Sequence, residues 1–319
     1  MSIQIGWIGA GRMGYQMVLR VLQAGHTVHI WNRTRSKAEP LVSKGAVLVD
    51  SAEELASANV LFTMLSTGKD LKEVLFGKAG VVAEGRRAVP GIVVDCSTIG
   101  ADESDELRRK LEVYGIRFLS APVSGNPKCI VAGKLSSVVS GPKDAFDEIE
   151  PLIHTYAVRG VAYVGDGELA RICKIAHNVF LAAVIENLIE VTLLAQKAGV
   201  PRHAFLKFMN NSALGSIFTQ YKSPALVNLD FTPTFTIGLT RKDVDLGLEA
   251  ARKLGVAMPV TAAVREVLQS HFGVATLQAN PDAYLAKDFA ALIETLALSA
   301  GIKLESENVP VPSGLEIPG

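Results

Sequence analysis

The sequence is poor in the features that would mark a secreted, metal-dependent or nucleic-acid-binding protein. It has three cysteines, Cys96, Cys129 and Cys173, with no CxxC pair, which leaves no disulfide framework or cysteine zinc site to read and suits a reducing cytoplasm. Its six histidines include no HExxH spacing and no cluster, so no metal is expected. Neither sign of charge is in excess: Lys plus Arg and Asp plus Glu number 32 each. That balance removes the global electrostatic footprint of a protein that binds nucleic acid or an anionic membrane. The N-terminus lacks a basic n-region and its first apolar run stops at glycine, as a first strand does and a signal peptide does not. The apolar stretch from Val179 to Leu194 is broken by Glu186, Asn187 and Glu190, which predicts a segment too short and too polar to span a bilayer. With 49% hydrophobic and 20% charged residues over 319 positions, what remains reads as a soluble globular chain long enough for two domains.

Glycine is concentrated where it carries information. Ile3, Ile5, Trp7 and Ile8 form a short apolar run, Gly9, Gly11 and Gly14 follow in GxGxxG spacing with Ala10, Arg12 and Met13 between them, and Met17, Val18, Val21 and Leu22 recur at helical spacing. This is a strand, a tight turn and a helix, the context that makes the spacing a dinucleotide-binding signal. Gly9 permits the turn, Gly11 lets a pyrophosphate approach the backbone, and Gly14 lets helix and strand pack closely. The second strand ends at Trp31 and is followed by Asn32, Arg33 and Thr34. An acidic residue there would bind the ribose 2′-hydroxyl of NAD(H), whereas Asn32 with Arg33 suits the 2′-phosphate of NADP(H). NADP(H) is the expected preference, with NAD(H) still admissible.

Further β-like runs at Ala46 to Val49, Val60 to Leu65, Ile92 to Asp95, Arg117 to Ala121 and Ser136 to Ser140 alternate with helical segments. They predict an α/β, doubly wound parallel sheet with an antiparallel extension near its end. Ligands of such sheets sit beyond the C-terminal strand ends, where Met64, Leu65 and Ser66 follow one strand and Ser97 and Thr98 another. Beyond Gly165 the pattern is helical throughout. The expected organisation is a dinucleotide-binding domain over 1–165, an all-helical domain over 166–304 and an extended or disordered tail over 305–319 containing Pro310, Pro312, Gly314 and Pro318. A helix of roughly Glu168 to Ala198 would join the domains. On it Lys174 and Asn178 are four residues apart and share a face, while Cys173 is turned about 100° away and reads as a small buried residue.

Five ordered motifs, GWIGAGRMG at 6–14, DCSTI at 95–99, APVSG at 121–125, VGDGELARICKIAHN at 164–178 and RKDVDLGLEAA at 241–251, together resemble the β-hydroxyacid dehydrogenase family. That family includes 3-hydroxyisobutyrate dehydrogenases, tartronate semialdehyde reductases and glyoxylate/succinic semialdehyde reductases. The resemblance implies a Rossmann domain followed by a helical one, and hydride transfer between nicotinamide and a small carboxylated aldehyde or hydroxyacid. It implies that Lys174 is the general acid/base, that Asn178 orients it, and that Ser124 and Gly125 hold the substrate carboxylate. Thr98 and Leu65 would line the cofactor, Lys242 would reach it from the second domain, and Phe235 and Asp243 would lie on the substrate side. His177 would be a packed histidine, or else a secondary proton group. Where the family often has a second glycine, this chain continues Asn126-Pro127-Lys128-Cys129-Ile130, so Asn126 enters the substrate side and the usual small hydroxyacids are in doubt. Two other readings are an imine reductase, against which Lys174 argues, and a cofactor-binding interaction module without catalysis. A homo-oligomer, dimer or tetramer, is expected from the resemblance and from the apolar stripe Leu285, Phe289, Leu292, Ile293 and Leu296.

Overall fold

Every residue of strand β1 (Ile5–Ile8) is buried, and a strand buried on both faces needs cover above and below, the condition of a parallel sheet between helices. The computed structural model, which describes residues 3–82 and 88–316, meets that condition. Strands β1, β2 (Val28–Trp31), β3 (Val47–Leu48), β4 (Val60–Thr63), β5 (Ile92–Asp95) and β6 (Arg117–Ser120) lie in the order β3-β2-β1-β4-β5-β6, all parallel. Helices α1 (Arg12–Gln23), α2 (Glu39–Val42), α3 (Gly68–Phe76) and α4 (Ala101–Glu112) lie between them in the chain. Ile5, Trp7, Phe62 and Val94 belong to one core and Ile8, Leu61 and Val93 to another, as the two-residue period of a strand requires. The order reverses at β1 and β4, which is where ligands of doubly wound sheets bind.

The expected antiparallel extension takes the form of a second, three-stranded sheet. Strands β7 (Val123–Ser124), β8 (Ser136–Val139) and β9 (Gly160–Tyr163) accompany α5 (Pro127–Val131) and α6 (Lys143–Tyr156); β7 and β8 are antiparallel, β8 and β9 parallel. A single antiparallel bridge, Ser120 to Ser140, links β6 to it.

The chain divides into units of residues Met1–Lys174 and Ile175–Gly319, and the division falls inside helix α7 (Leu169–Lys197). At 29 residues this helix is long and apolar enough, by length and composition, to cross a membrane. The run from Val179 to Leu194 was expected to be too short and too polar for this, but the helix extends ten residues before Val179 and three past Leu194. Its most apolar window is 50% buried inside the protein, which is how the core helix of a folded domain satisfies the same test.

The second unit is helical: α8 (Arg202–Asn211), α9 (Ile217–Asn228), α10 (Ile237–Leu254), α11 (Pro259–Ala275), α12 (Pro281–Leu285) and α13 (Leu292–Ser299) follow α7. Phe289, Leu292 and Ile293 are at most 1% exposed within its core, with Leu285 and Leu296 packed against it. The stripe expected to seek a second subunit is therefore satisfied by the chain's own core. At its centre Lys222 Nζ meets Asp288 Oδ1 at 2.6 Å and lies 4.3 Å from the Phe289 ring centroid. Asp288 also accepts from the backbone N–H groups of Thr234, Phe235 and Ala290, so the buried charge pair is hydrogen-bonded on all sides. After Lys303 the chain is extended and strapped to this unit. Glu307 accepts from the N–H groups of Arg202 and His203 at the start of α8, and Asn228 and Val309 exchange two hydrogen bonds. Pro318 lies outside the described residues.

Also in this unit His271 is wholly buried, stacked on Tyr284 at 4.7 Å, with Nδ1 2.7 Å from Thr295 Oγ1. Burial, and after it the charge of Lys287, push its imidazole from an ordinary 6.5 down to about 4. The unfolded chain takes up this proton near the ordinary value and the folded chain only near the lowered one. Stability is therefore complete above about pH 6.5 and falls as pH drops toward about 4, by at most about 3 kcal/mol. Denaturant unfolding across this range should show that decline in the parent, and His271→Phe, which keeps a ring against Tyr284, should flatten it. An unchanged slope in the variant would assign the decline to other groups.

Candidate active site

The glycine turn is dictated by backbone contact. Gly9 has φ +106°, and a Cβ on it would sit 2.3 Å from the Met64 carbonyl oxygen; a Cβ on Gly14 would sit 2.0 Å from the Gly9 carbonyl oxygen. No side chain fits either place, so β1, the start of α1 and the end of β4 can meet only through glycine. The Trp7 indole N–H donates to that same Gly9 oxygen at 3.0 Å, Gly9 N–H donates to Trp31 O, and Ala10 N–H donates to Asn32 Oδ1 at 2.8 Å. Asn32 in turn donates through Nδ2 to Thr34 O at 2.7 Å, so its amide fixes the loop while Arg33 stands out from it, exposed. At Gly11 a Cβ would meet nothing within 4 Å. Gly11 is the N-cap of α1, no side chain caps the helix there, and its first turn carries no acidic residue. Open space, uncapped N–H groups and the positive end of a helix fit a pyrophosphate.

The strand ends supply the neighbouring surface. Leu65 N–H donates to Ser97 Oγ at 2.9 Å, which ties the segment after β4 to the one after β5. Met64, Leu65 and Thr98 are half-buried there and Ser66 is exposed. Arg33 pairs with Asp70 at 3.0 Å on the surface. The Thr67 hydroxyl above all, helped by Arg33, holds the Asp70 carboxyl below its ordinary value. Ser124 ends β7, and Gly125, at φ +136°, has room for no Cβ, which would meet Cys129 Cβ at 2.9 Å. The Asn126 to Ile130 departure folds as α5: Asn126 Oδ1 accepts from Cys129 N–H at 3.1 Å and caps the helix, and its Nδ2 is buried without a hydrogen-bond partner. Arg20 of α1 donates to Ile130 O and Val131 O at the other end of α5. Lys128 is exposed.

On α7, Lys174 is 9% and Asn178 6% exposed, one turn and about 6 Å apart along the axis. Asn178 is itself held: Nδ2 donates to Asp243 Oδ2 at 2.6 Å, and Oδ1 lies 2.9 Å from His177 Nδ1. Gly247 makes this possible, because a Cβ there would come within 2.3 Å of Val179 Cγ2 and push α10 off α7. Lys242 Nζ lies 3.2 Å from Asp243 Oδ1, placed for charge pairing but not for a directed hydrogen bond. Phe235 packs edge-on against Phe289 at 5.7 Å. Two residues differ from expectation. Cys173 is exposed, since the face of α7 it turns to is an outward one, and His177 is exposed and bonded to Asn178 where a packed histidine was expected.

The sequence-predicted residues thus gather in two sets. The first unit brings together the glycine turn, Asn32, Leu65 and the Ser97-Thr98 segment; the second brings together Asn178, Asp243 and Lys242. Sequence reasoning missed Trp7 as the clamp on the turn, Ser97 as the anchor of Leu65 and Gly247 as the residue that admits α10. A tryptophan two positions before the first glycine was the available signal for Trp7. These contacts make Gly11 the discriminating position. Gly11→Ala adds a methyl group to open space, so thermal stability should stay at the parental value while NADPH binding, read by fluorescence titration, weakens by about tenfold or more. Unchanged binding would mean that no phosphate approaches Gly11.

Comparison with known proteins follows the same division. A family model described as the NAD binding domain of 6-phosphogluconate dehydrogenase matches residues 4–165, and one described as NAD-binding of NADP-dependent 3-hydroxyisobutyrate dehydrogenase matches residues 168–296. The chain is 30% identical over 303 residues to 2-hydroxy-3-oxopropionate reductase of Escherichia coli (strain K12), covering 95% of this chain and 100% of that protein. It superposes with a TM-score of 0.77 on Mycobacterium tuberculosis 3-hydroxyisobutyrate dehydrogenase, at 25% identity, over 93% of this chain and 99% of that one. A reductive aminase from Aspergillus terreus, at 19% identity and a TM-score of 0.58 over 93% of this chain and 100% of its own, shares the fold alone. With both halves matched and a full-length relative at this identity, the chain belongs to the β-hydroxyacid dehydrogenase family of NAD(P)-dependent oxidoreductases.

Proposed function

We propose that the protein is an NADP(H)-preferring oxidoreductase that interconverts a small carboxylated aldehyde and the corresponding hydroxyacid. The observation that carries the reading is a buried lysine, Lys174, one helical turn from an asparagine whose amide is fixed by a buried aspartate. When bound, the nicotinamide supplies or accepts the hydride. The protein's own residues deal with the proton and the carboxylate. In reduction the Lys174 ammonium gives its proton to the oxygen on which negative charge develops; in oxidation the amine takes the hydroxyl proton. Asn178, clamped by Asp243, holds Lys174 and the substrate oxygen in register, and a clamped donor costs less reorganisation than a mobile one. The Ser124 hydroxyl and the Gly125 N–H suit a carboxylate.

The preference for NADP(H) rests on Asn32 in place of an acidic residue and on exposed Arg33, 83% accessible at its side chain. Its surface pair with Asp70 is worth about 1 kcal/mol or less, so the guanidinium is available to a phosphate. NAD(H) would be accepted less well. The three free thiols, Cys96, Cys129 and Cys173, support a cytoplasmic setting. A homo-oligomer is supported by large apolar side chains exposed on the second unit, among them Phe180 at 70%, Leu194 at 71% and Phe208 at 68%. An imine reductase or a non-catalytic cofactor-binding module would have little use for Lys174 with Asn178.

Steady-state assays of semialdehydes, hydroxyacids and cyclic imines with NADPH and NADH test the reading together with Lys174→Met, which keeps length and apolar bulk. For the best substrate kcat/KM should be higher with NADPH than with NADH. In the variant, folding and NADPH binding should survive while kcat falls about 10²- to 10⁴-fold. Near-parental kcat in Lys174→Met would place the proton donor elsewhere and sink the assignment.

A further inference from the structure

The helix that carries Lys174 is anchored to the strand ends through a buried ion pair. Arg171 is 1% exposed and Asp95 wholly buried; Arg171 Nη2 donates to Asp95 Oδ2 at 2.5 Å. The other carboxylate oxygen, Oδ1, accepts from Thr63 Oγ1 at 2.6 Å and from Ser97 Oγ at 2.7 Å. Ser97 Oγ is also the acceptor for Leu65 N–H, so the Asp95 carboxylate determines where the segment after β4 lies. Arg171 makes two further bonds: Nη1 donates to Ser97 O, and Nε donates to Ser104 Oγ at 3.1 Å in α4. Glu168, the residue just before α7, accepts from Ser120 Oγ of β6 at 2.9 Å. Four elements therefore converge on one charge pair: the end of β4 with Leu65, the end of β5 with Ser97 and Thr98, α4 with Ser104, and the first turn of α7, three residues before Lys174.

We infer that Asp95 and Arg171 form a positioning pair that sets the Lys174 amine against the strand-end surface formed by Leu65 and Thr98. The inference rests on the catalytic reading of Lys174 given above. A buried charge pair contributes weakly to net stability compared with well-packed apolar residues, so its stability alone does not account for it. What this pair adds is direction. The planar guanidinium bonds in three directions at once, to a carboxylate, to a backbone carbonyl and to a hydroxyl, which fixes the rotation and height of the start of α7 as no lysine could. Misplacement of a catalytic group by about 1 Å can cost on the order of 100-fold in rate. Neither residue touches substrate in this scheme; both act through Lys174, Leu65 and Thr98.

Four variants of the full chain separate positioning from stability: Arg171→Lys, Arg171→Gln, the double variant Asp95→Asn with Arg171→Gln, and Leu111→Ala as a buried α4 control away from the strand ends. Arg171→Lys should lower kcat about 10- to 100-fold with KM for the carboxylated substrate changed less than about threefold. Arg171→Gln, which leaves Asp95 without its countercharge, should lose thermal stability most, and the double variant should recover much of that loss while kcat stays low. Leu111→Ala should lower the melting temperature with kcat within about twofold of the parent. Bound NADPH gives a readout independent of turnover: its nicotinamide fluorescence should change in Arg171→Lys and in the double variant while its dissociation constant, governed by the glycine turn, stays within about threefold. If kcat recovered together with stability in the double variant, or if Arg171→Lys kept parental kcat and parental bound-NADPH fluorescence, the pair would be structural only. A parent that binds NADPH and turns over none of the carbonyl substrates would sink the functional reading instead, and the fluorescence comparison would still judge the pair.

Discussion

The contact between Gly14 and the Gly9 carbonyl is the constraint on which the first unit depends. A backbone oxygen lies where the side chain of residue 14 would begin, so helix α1 approaches the sheet as closely as a helix can. That closeness has two consequences. It leaves the Gly9 carbonyl inside the protein, where the Trp7 indole satisfies it, with Trp7 held by stacking on Phe62 at 5.2 Å. It also brings the uncapped start of α1 over the end of β1, beside the order reversal of the sheet, with empty space at Gly11. Packing and hydrogen bonding at this corner follow from one close approach, which also leaves the helix start in a form that suits an anion.

The second half of the chemistry depends on how α7 is held. Its start is fastened in the first unit by Arg171 and by the preceding Glu168, and later turns are packed in the second unit against α10 at Gly247 and held by Asp243 on Asn178. Lys174 lies between these two sets of contacts in sequence. In the proposed reaction Lys174 must meet a developing charge at a fixed place, which calls for a firmly held helix.

Much of this was legible in the sequence, in a specific sense. Local patterns with a physical cause were read correctly: short apolar runs became the strands of the parallel sheet, and GxGxxG became a glycine turn at a helix start. What failed to show was which partner satisfies a given side chain. The apolar stripe around Phe289 and Ile293 has the periodicity of a buried face, but periodicity does not say whether the cover comes from the same chain or from a second one; here it is the same chain. The helical wheel placed Cys173 about 100° from Lys174, and it could not say which of the two directions faces solvent. Arg171 and Asp95 are 76 positions apart, Asn178 and Asp243 65, Glu307 and Arg202 105. Contacts at such separations leave no trace in one sequence, and they are the ones that convert a set of motifs into a site.

The proposed reaction is hydride transfer to a carbonyl carbon of a carboxylated substrate. Reduction of the most active semialdehyde with NADPH deuterated at C4, followed by mass spectrometry and proton NMR of the product, tests it most directly. One deuterium is expected, on the former carbonyl carbon, in a hydroxyacid that retains its carboxylate. Oxidation of the cofactor with no deuterium at that carbon, or deuterium transfer to cyclic imines with none to any carboxylated aldehyde, would contradict it.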